Sequence, residues 1–384
     1  MLAGTNVALG VSGSVAAVKV VELAHELRRQ GASVRAVMTD SARSIVHPWA
    51  VEFATGEPVV TQITGAIEHV DLCGTDGWAD VLLLAPATAN TVGKMAAAID
   101  DTPVTTTATT ALGAGLPVVV APAMHEPMYD HPGVLEAIER VESWGVDIVD
   151  PRLEEGKAKI ASEEAIVLAV ARAVGERPLA GKRVVVTSGA TSEPIDPVRV
   201  LTNRASGKTG RAVAKACYAL GADVVLVHDG PEVPFADVRQ VTTGADMLEA
   251  VLDAVEGADA LVSAAAISDY TVEAQAEKIR SGQDLTLDLE PTPKLVDAVR
   301  ERHENLPIVG FKAETGDDES TVAAARDLLE RVDLSFVVAN DADVMGEEET
   351  RAFVVTAAAV QEFSGSKLDL GRLVGEELAA VLAD

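Results

Sequence analysis

The chain opens twice in the same way, with a β-branched run, a turn of small residues and then a helix, at residues 5–29 and again at 182–220. The first copy reads Asn6-Val-Ala-Leu-Gly-Val-Ser-Gly-Ser14 before an apolar-periodic stretch. The second reads Arg183-Val-Val-Val-Thr-Ser-Gly-Ala190, followed by Ser206-Gly-Lys-Thr-Gly210 and another helix. Two nucleotide-type α/β domains in tandem are the economical explanation. A length of 384 residues exceeds what one hydrophobic core usually organises, and 48% apolar content is ample for two. Such a pairing suggests two consecutive chemical steps on one polypeptide.

Strand-like runs recur at 5–11, 33–38, 80–85, 117–121 and 146–149, separated by helical periodicity over Val15–Arg29, Thr88–Ala98 and Glu163–Val174. This β-α alternation predicts a mostly parallel, buried sheet. Gly175-Glu-Arg-Pro-Leu-Ala-Gly181 breaks the pattern before a fresh strand at Arg183, which puts the expected domains at 1–178 and 179–384. The second half reads as strands near 183–188, 223–228, 259–264, 307–311, 334–338 and 352–356, with helices at 207–220, 245–255, 293–303, 319–331 and 369–382. The expected fold class is α/β, with two doubly wound Rossmann-like domains.

A net charge of −29, from 60 acidic against 31 basic residues of which only 11 are Lys, argues against nucleic-acid or anionic-membrane binding. Any phosphorylated ligand must be held by local donors. The imbalance resembles that of proteins adapted to concentrated salt, where screening removes self-repulsion. Cys73 and Cys217 alone supply no disulfide framework and no Cys-rich metal site. The N-terminus lacks the pattern of a secretory signal, and no apolar stretch approaches the roughly 18 residues of a membrane span. A soluble cytoplasmic protein is the expectation.

Gly10-Val-Ser-Gly-Ser14 ends a strand and opens a helix, where backbone N–H groups and the helix dipole favour a phosphate. Ser12 and Ser14 add hydroxyls. Three further runs sit at similar positions: Met38-Thr-Asp-Ser-Ala42, Leu84-Ala-Pro-Ala-Thr-Ala-Asn90 and Thr105-Thr-Thr-Ala-Thr-Thr110. Together they would line one crevice with hydrogen-bond donors and no full charge, which suits a flavin mononucleotide (FMN) better than a triphosphate. Gly10, Ser12, Gly13, Ser14, Thr39, Pro86, Ala87, Thr88, Asn90 and Thr106 are the candidate cofactor contacts.

With His69-Val-Asp-Leu72, Ala79-Asp-Val-Leu-Leu-Leu-Ala-Pro-Ala-Thr-Ala-Asn90 and Pro122-Ala-Met-His-Glu-Pro-Met-Tyr129, residues 5–130 resemble the phosphopantothenoylcysteine decarboxylase half of the bifunctional coenzyme A biosynthesis family, of flavin-containing Cys decarboxylase type. The resemblance implies a flavodoxin-like domain whose flavin oxidises a cysteine thiol, after which carbon dioxide leaves and the hydride returns. It makes His69 the active-site base or positioning residue and sets Pro122-Ala-Met124 against the substrate carboxylate. Two departures matter. His125 stands where the family usually has Asn, and Pro151-Arg-Leu-Glu-Glu-Gly-Lys-Ala-Lys159 replaces the stretch that carries a Cys proton donor. His125 can still donate to a carboxylate, and Lys157 or Lys159 serves as proton donor if desolvation lowers its pKa.

In the second half, Ser206-Gly-Lys-Thr-Gly210 is not a P-loop, because the required earlier Gly is Thr202. Thr187-Ser-Gly-Ala-Thr-Ser192 and Leu201-Thr-Asn-Arg-Ala-Ser-Gly-Lys-Thr-Gly210 remain as Gly/Ser/Thr-rich turns able to hold phosphate through backbone N–H groups, Ser188 and Gly189 among them. With Ala264-Ala-Ala-Ile-Ser-Asp-Tyr270, Glu277-Lys-Ile279, Pro291-Thr-Pro-Lys-Leu-Val296, Val309-Gly-Phe-Lys-Ala-Glu-Thr315 and Val338-Ala-Asn-Asp341, the run 187–341 resembles the phosphopantothenoylcysteine synthetase half of the same family. By that resemblance Asn203 contacts the substrate or acyl intermediate, Asp269 the nucleotide or its metal, and Lys278 the phosphates as a mobile cation. Phe311 packs on the base, and Pro293, Lys294, Leu295 and Val296 line the nucleotide pocket. Of two basic residues on the helix before Val332, only Arg326 is present, with Glu330 in the other place.

The implied activity joins 4'-phosphopantothenate to cysteine through an acyl-nucleotide and then decarboxylates the product to 4'-phosphopantetheine. It implies FMN, Mg²⁺ and cytidine triphosphate (CTP), with ATP or GTP as other donors, and a homo-oligomer of trimers and dimers that can build a dodecamer. The alternative is an active ligase whose N-terminal half is a non-catalytic flavin-binding regulator. A dehydrogenase is disfavoured, since Gly10-Val-Ser-Gly-Ser-Val15 lacks the dinucleotide fingerprint.

Overall fold

The computed structural model describes residues 1–282, 285–315, 317–341 and 349–383, except for the side chain of Asp341. They fold as two compact units, Met1–Gly175 and Glu176–Asp384.

In the first unit, strands β1 (Asn6–Val11), β2 (Ser33–Met38), β3 (Val81–Ala87), β4 (Val118–Pro122) and β5 (Asp147–Ile148) form a parallel sheet in the order β2-β1-β3-β4-β5. That is the flavodoxin-like order, with its switch point between β1 and β3. β3 is buried at all seven positions, as a central strand covered on both faces must be. Leu9, Leu83 and Val119 pack with the helices Val20–Arg29 and Glu163–Val174 on one face. Ala8, Leu82 and Val120 pack with Ala89–Ala96, Pro103–Ala114 and Pro132–Glu142 on the other. Gly10 is set by this packing, since a Cβ there would stand 2.3 Å from Leu84 Cδ2.

Two segments differ from expectation. Thr105–Thr110 lies inside the helix Pro103–Ala114 rather than in a turn; Thr102 caps it, and Thr107 and Thr110 donate back to the carbonyls of Pro103 and Thr106 at 2.8 and 2.9 Å. The charged run 151–159 is a hairpin, Arg152–Glu154 against Lys157–Lys159, whose inner strand also pairs with Met124–His125. Glu155 and Gly156 form its two-residue turn with φ of 52° and 69°, as a primed turn requires.

In the second unit, β6 (Arg183–Ser188), β7 (Asp223–His228), β8 (Asp237–Gln240), β9 (Ala260–Ser263), β10 (Ile308–Glu314), β11 (Phe336–Asp341), β12 (Glu349–Val355) and β13 (Val360–Ser366) order as β8-β7-β6-β9-β10-β11-β12-β13. The first six are parallel in Rossmann order, and the last two run antiparallel. Sequence periodicity suggests only one strand near 352–356; its partner, β13, is a mostly exposed edge strand with little apolar signal. The helices Lys208–Ala219 and Lys367–Val381 touch through Gly371 and Gly375, and a Cβ on Gly371 would meet the Ala212 backbone at 2.6 Å. Two antiparallel arms, Ser192–Pro194 with Val200–Thr202 and Tyr270–Val272 with Leu289–Pro291, form separate two-stranded sheets.

Candidate active sites

A cleft of about 540 Å³ opens in the first unit where the ends of β1, β3 and β4 face the 152–159 hairpin. It brings together Gly13, Ser14, Thr88, His125, Lys157 and Lys159, and adds Arg152, which the sequence reading passed over. Gly13 permits the close turn, because a Cβ there would lie 2.3 Å from Ser41 Cβ. Ser14 accepts from the Ala16 N–H at 3.3 Å and so begins the helical segment beside the cleft.

Ser12 has another role from the one expected. Its buried hydroxyl donates to the Pro86 carbonyl at 2.7 Å and accepts from the Thr88 N–H at 3.0 Å, so it ties the β1 turn to the β3 turn instead of facing a ligand. Gly10, Pro86 and Ala87 are likewise buried and do not line the cleft. Thr39 caps Ala42, Asn90 lies exposed on the helix Ala89–Ala96, and Thr106 donates to the Asp100 carbonyl at 3.0 Å; none of the three lines the cleft. His69 sits on the helix Glu68–Cys73 and does not line the cleft, and its buried Nδ1 has no hydrogen-bond partner among the described residues. Lys159 is held by Glu155 and Glu154 at 3.0 and 3.1 Å. Those carboxylates raise its pKa, the opposite of what a desolvated proton donor needs.

A narrower slot of about 150 Å³ lies at the ends of β6, β9, β10 and β11 in the second unit. The turns Gly189 and Ser206–Gly210 form one side, with Ala264–Ala266 and Phe311 against them. Gly189 has φ of +84°, and a Cβ there would stand 1.9 Å from Asp229 Oδ1, so only glycine fits. Ser188 donates to the Gly207 carbonyl at 2.8 Å from a fully buried position, which makes it a strut between the two turns rather than a phosphate contact. Thr187 Oγ1 accepts from the Ala264 and Ala265 N–H groups, both at 3.1 Å. Asn203 reaches the rim by donating to the Ala266 carbonyl at 2.9 Å.

The other sequence-predicted nucleotide residues do not line this slot. Asp269 and Lys294 pair with each other at the surface. Leu295 is a buried core residue at the start of the helix Leu295–Arg302, with Val296 packed against the same core and Pro293 preceding the helix outside the slot. Lys278 is exposed on an irregular segment, and Arg326 is exposed on the helix Asp318–Val332. Among the described residues no three His, Cys, Asp or Glu side chains converge as a metal site. Asn340, Thr350 and the buried Lys367 do line the slot. Lys367 follows the N-cap Ser366, so a capping signal marks its helix start, but nothing local marks its arrival beside Gly207.

Residues 1–175 match the family described as Flavoprotein, and residues 179–381 match the DNA/pantothenate metabolism flavoprotein C-terminal domain. A Thermococcus kodakarensis protein named coenzyme A biosynthesis bifunctional protein CoaBC is 50% identical over 92% of this chain and 89% of its own. Proteins of that name from Methanocaldococcus jannaschii and Bacillus subtilis are 34% and 37% identical, over 98% and 90% of this chain and 94% and 88% of theirs. A solved structure of the C-terminal domain of CoaBC is 29% identical over 54% of this chain and all of its own, with a TM-score of 0.47. Among the described residues no helix is long and apolar enough to cross a membrane. With both halves matched in order along nearly its whole length, the chain belongs to the bifunctional CoaBC family of coenzyme A biosynthesis, whose members combine a decarboxylase with a ligase.

Proposed function

We propose that the second unit joins 4'-phosphopantothenate to cysteine at the expense of a nucleoside triphosphate, and that the first unit then decarboxylates 4'-phosphopantothenoylcysteine with FMN. The observation that carries this reading is the cleft in which the Gly13–Ser14 turn and Thr88 meet His125, Arg152 and Lys157. Turn N–H groups and hydroxyls suit a flavin phosphate, and the cationic hairpin opposite suits an anionic substrate. The cleft's size lies within the roughly 300–1,000 Å³ of small-ligand sites. Bound FMN would supply two-electron chemistry at the substrate thiol. His125 and Arg152 would hold the leaving carboxylate, and Lys157 is the remaining lysine candidate for delivering a proton to the product. Lys159, flanked by Glu154 and Glu155, would shape the hairpin.

In the second unit, Phe311 and Asn340 would flank the base and ribose, and the Gly189 and Ser206–Gly210 turns would bind phosphates through backbone N–H groups. Mg²⁺, a hard ion that keeps phosphate oxygens and waters as ligands, fits a site with few protein carboxylates. CTP is the expected donor, with ATP and GTP as the comparison. On the helix Pro48–Thr55, Trp49 and Phe53 are 76% and 79% exposed one turn apart, an apolar stripe consistent with the expected self-association.

The test is the product mass after incubating the protein with 4'-phosphopantothenate, cysteine, Mg²⁺ and CTP in high salt. Appearance of 4'-phosphopantetheine supports both activities. Accumulation of 4'-phosphopantothenoylcysteine would reduce the first unit to a flavin-binding domain without decarboxylase activity.

A further inference from the structure

Residues 273–282, which carry Lys278, have no regular secondary structure. Among the described residues, the backbone hydrogen bonds of this segment run to the arm around Ile195–Arg199. The Gln275 N–H donates to the Ile195 carbonyl at 2.9 Å, and the Ile279 N–H donates to Asp196 Oδ2 at 3.1 Å. The Ile279 carbonyl accepts from both terminal nitrogens of Arg199, each at 3.3 Å. The Ile279 N–H contact fixes the 278–279 peptide, and the Ile279 carbonyl contacts fix the 279–280 peptide.

Asp196 is built for that grip. Its side chain is wholly out of solvent, pairs with Arg199, and also accepts from the Val198 and Arg199 N–H groups at 2.8 and 2.9 Å. Burial works to raise its pKa, but the backbone donors and the guanidinium outweigh that and hold it below the usual carboxylate range. A buried carboxylate with its acceptors committed is not available to a ligand, so its work is structural. What it structures is the neighbour of the one lysine on this segment. A long side chain on an irregular segment loses substantial rotamer and backbone freedom when it engages a phosphate, and pre-ordering the adjacent peptide reduces that cost.

We propose that Asp196 and Arg199 are positioning residues for the ligase, acting through the Ile279 backbone to set the place from which Lys278 presents its ammonium to the nucleotide phosphates. The inference rests on the ligase reading of the second unit.

The experiment is a double-mutant cycle in the full chain, using Asp196→Asn, Lys278→Gln and the combination. The nucleotide KM and kcat of the ligase are measured, and decarboxylation of supplied 4'-phosphopantothenoylcysteine serves as the integrity control. Lys278→Gln is expected to cost about 100-fold in kcat/KM and Asp196→Asn about tenfold, with the double variant within about twofold of Lys278→Gln alone. Trypsin should also cut after Lys278 and Arg280 faster in Asp196→Asn, and nucleotide should protect less. If Asp196→Asn does not fold, Arg199→Lys, which keeps the charge but loses the forked contact to Ile279, should show the same non-additivity at smaller cost. Losses that multiply in the double variant, with unchanged trypsin sensitivity, would overturn the proposal while leaving the ligase intact. A wild-type chain that forms no 4'-phosphopantothenoylcysteine with any nucleotide would instead overturn the ligase reading itself.

Discussion

Among the described residues, neither His69 nor His228 has a hydrogen-bond partner for its buried Nδ1, but their settings lead to opposite expectations. His69 lies on a short helix after Ile67, whose φ of 50° is left-handed, and it does not line the 540 Å³ cleft. If it is the decarboxylase base, His69→Asn will retain flavin absorbance while carbon dioxide release falls by about 100-fold. Full release in that variant would remove it from the chemistry. His228 is a stability residue. Burial chiefly lowers its pKa, and its Nε2–H points to the Pro231 carbonyl at 3.1 Å, so the neutral ring fits and a second proton would be buried without an acceptor. The unfolded chain therefore binds more protons than the folded one as pH drops through the ordinary His range, and stability falls with falling pH. The melting temperature should decline between pH 7.5 and 5.5, with a shallower slope in His228→Leu; equal slopes would clear His228 of this role. The residue scale is also where sequence reading is weakest. Ser12 and Ser188 read as ligand hydroxyls because they sit in Gly-rich turns, yet both are spent on neighbouring backbone, which only the packed structure shows.

Among the elements, the 152–159 hairpin decides what the first cleft can bind. Its turn needs positive φ at both Glu155 and Gly156, a conformation that β-branched residues disfavour most. Gly156→Val should loosen the hairpin and raise the KM for 4'-phosphopantothenoylcysteine about tenfold or more while leaving ligase turnover unchanged. Steady-state kinetics of the two half-reactions checks this, and an unaltered decarboxylase KM would show that the hairpin is a bystander. Charge conceals the hairpin in the sequence, since the five strand residues other than Ala158 are Arg, Lys, Glu or an exposed Leu, and Ala158 alone is buried. The Thr-rich run misleads in the other direction. Its hydroxyls suggest a turn, but Pro103 at the first turn, the Thr102 cap and back-bonding to the preceding helical turn make it a helix. Regular, strongly apolar elements such as Glu163–Val174 are read correctly because burial and helical period agree there.

For the molecule as a whole, the net charge of −29 is the property that conditions control most directly. Screening shrinks from about 8 Å at physiological ionic strength to about 3 Å at 1 M, so repulsion among surface carboxylates should fade as salt rises. The melting temperature should climb by several degrees or more between 0.1 and 2 M KCl; a flat profile would mean that the acidic surface is tolerated without salt. By itself the sequence determined the class of the molecule: two α/β halves, their strand-ending turns and the chemistry those turns favour. These are local properties, written in the period of apolar residues and in the places where only a small residue allows a turn. The tertiary structure alone decided which side chains meet. It set His125 and Lys157 across from Ser14, carried Lys367 to the Ser206–Gly210 turn, withdrew Leu295 into the core, and bound Asp269 to Lys294. Such meetings depend on strand order and long-range packing, which bring together residues far apart in the chain and leave no mark on the local pattern of either one.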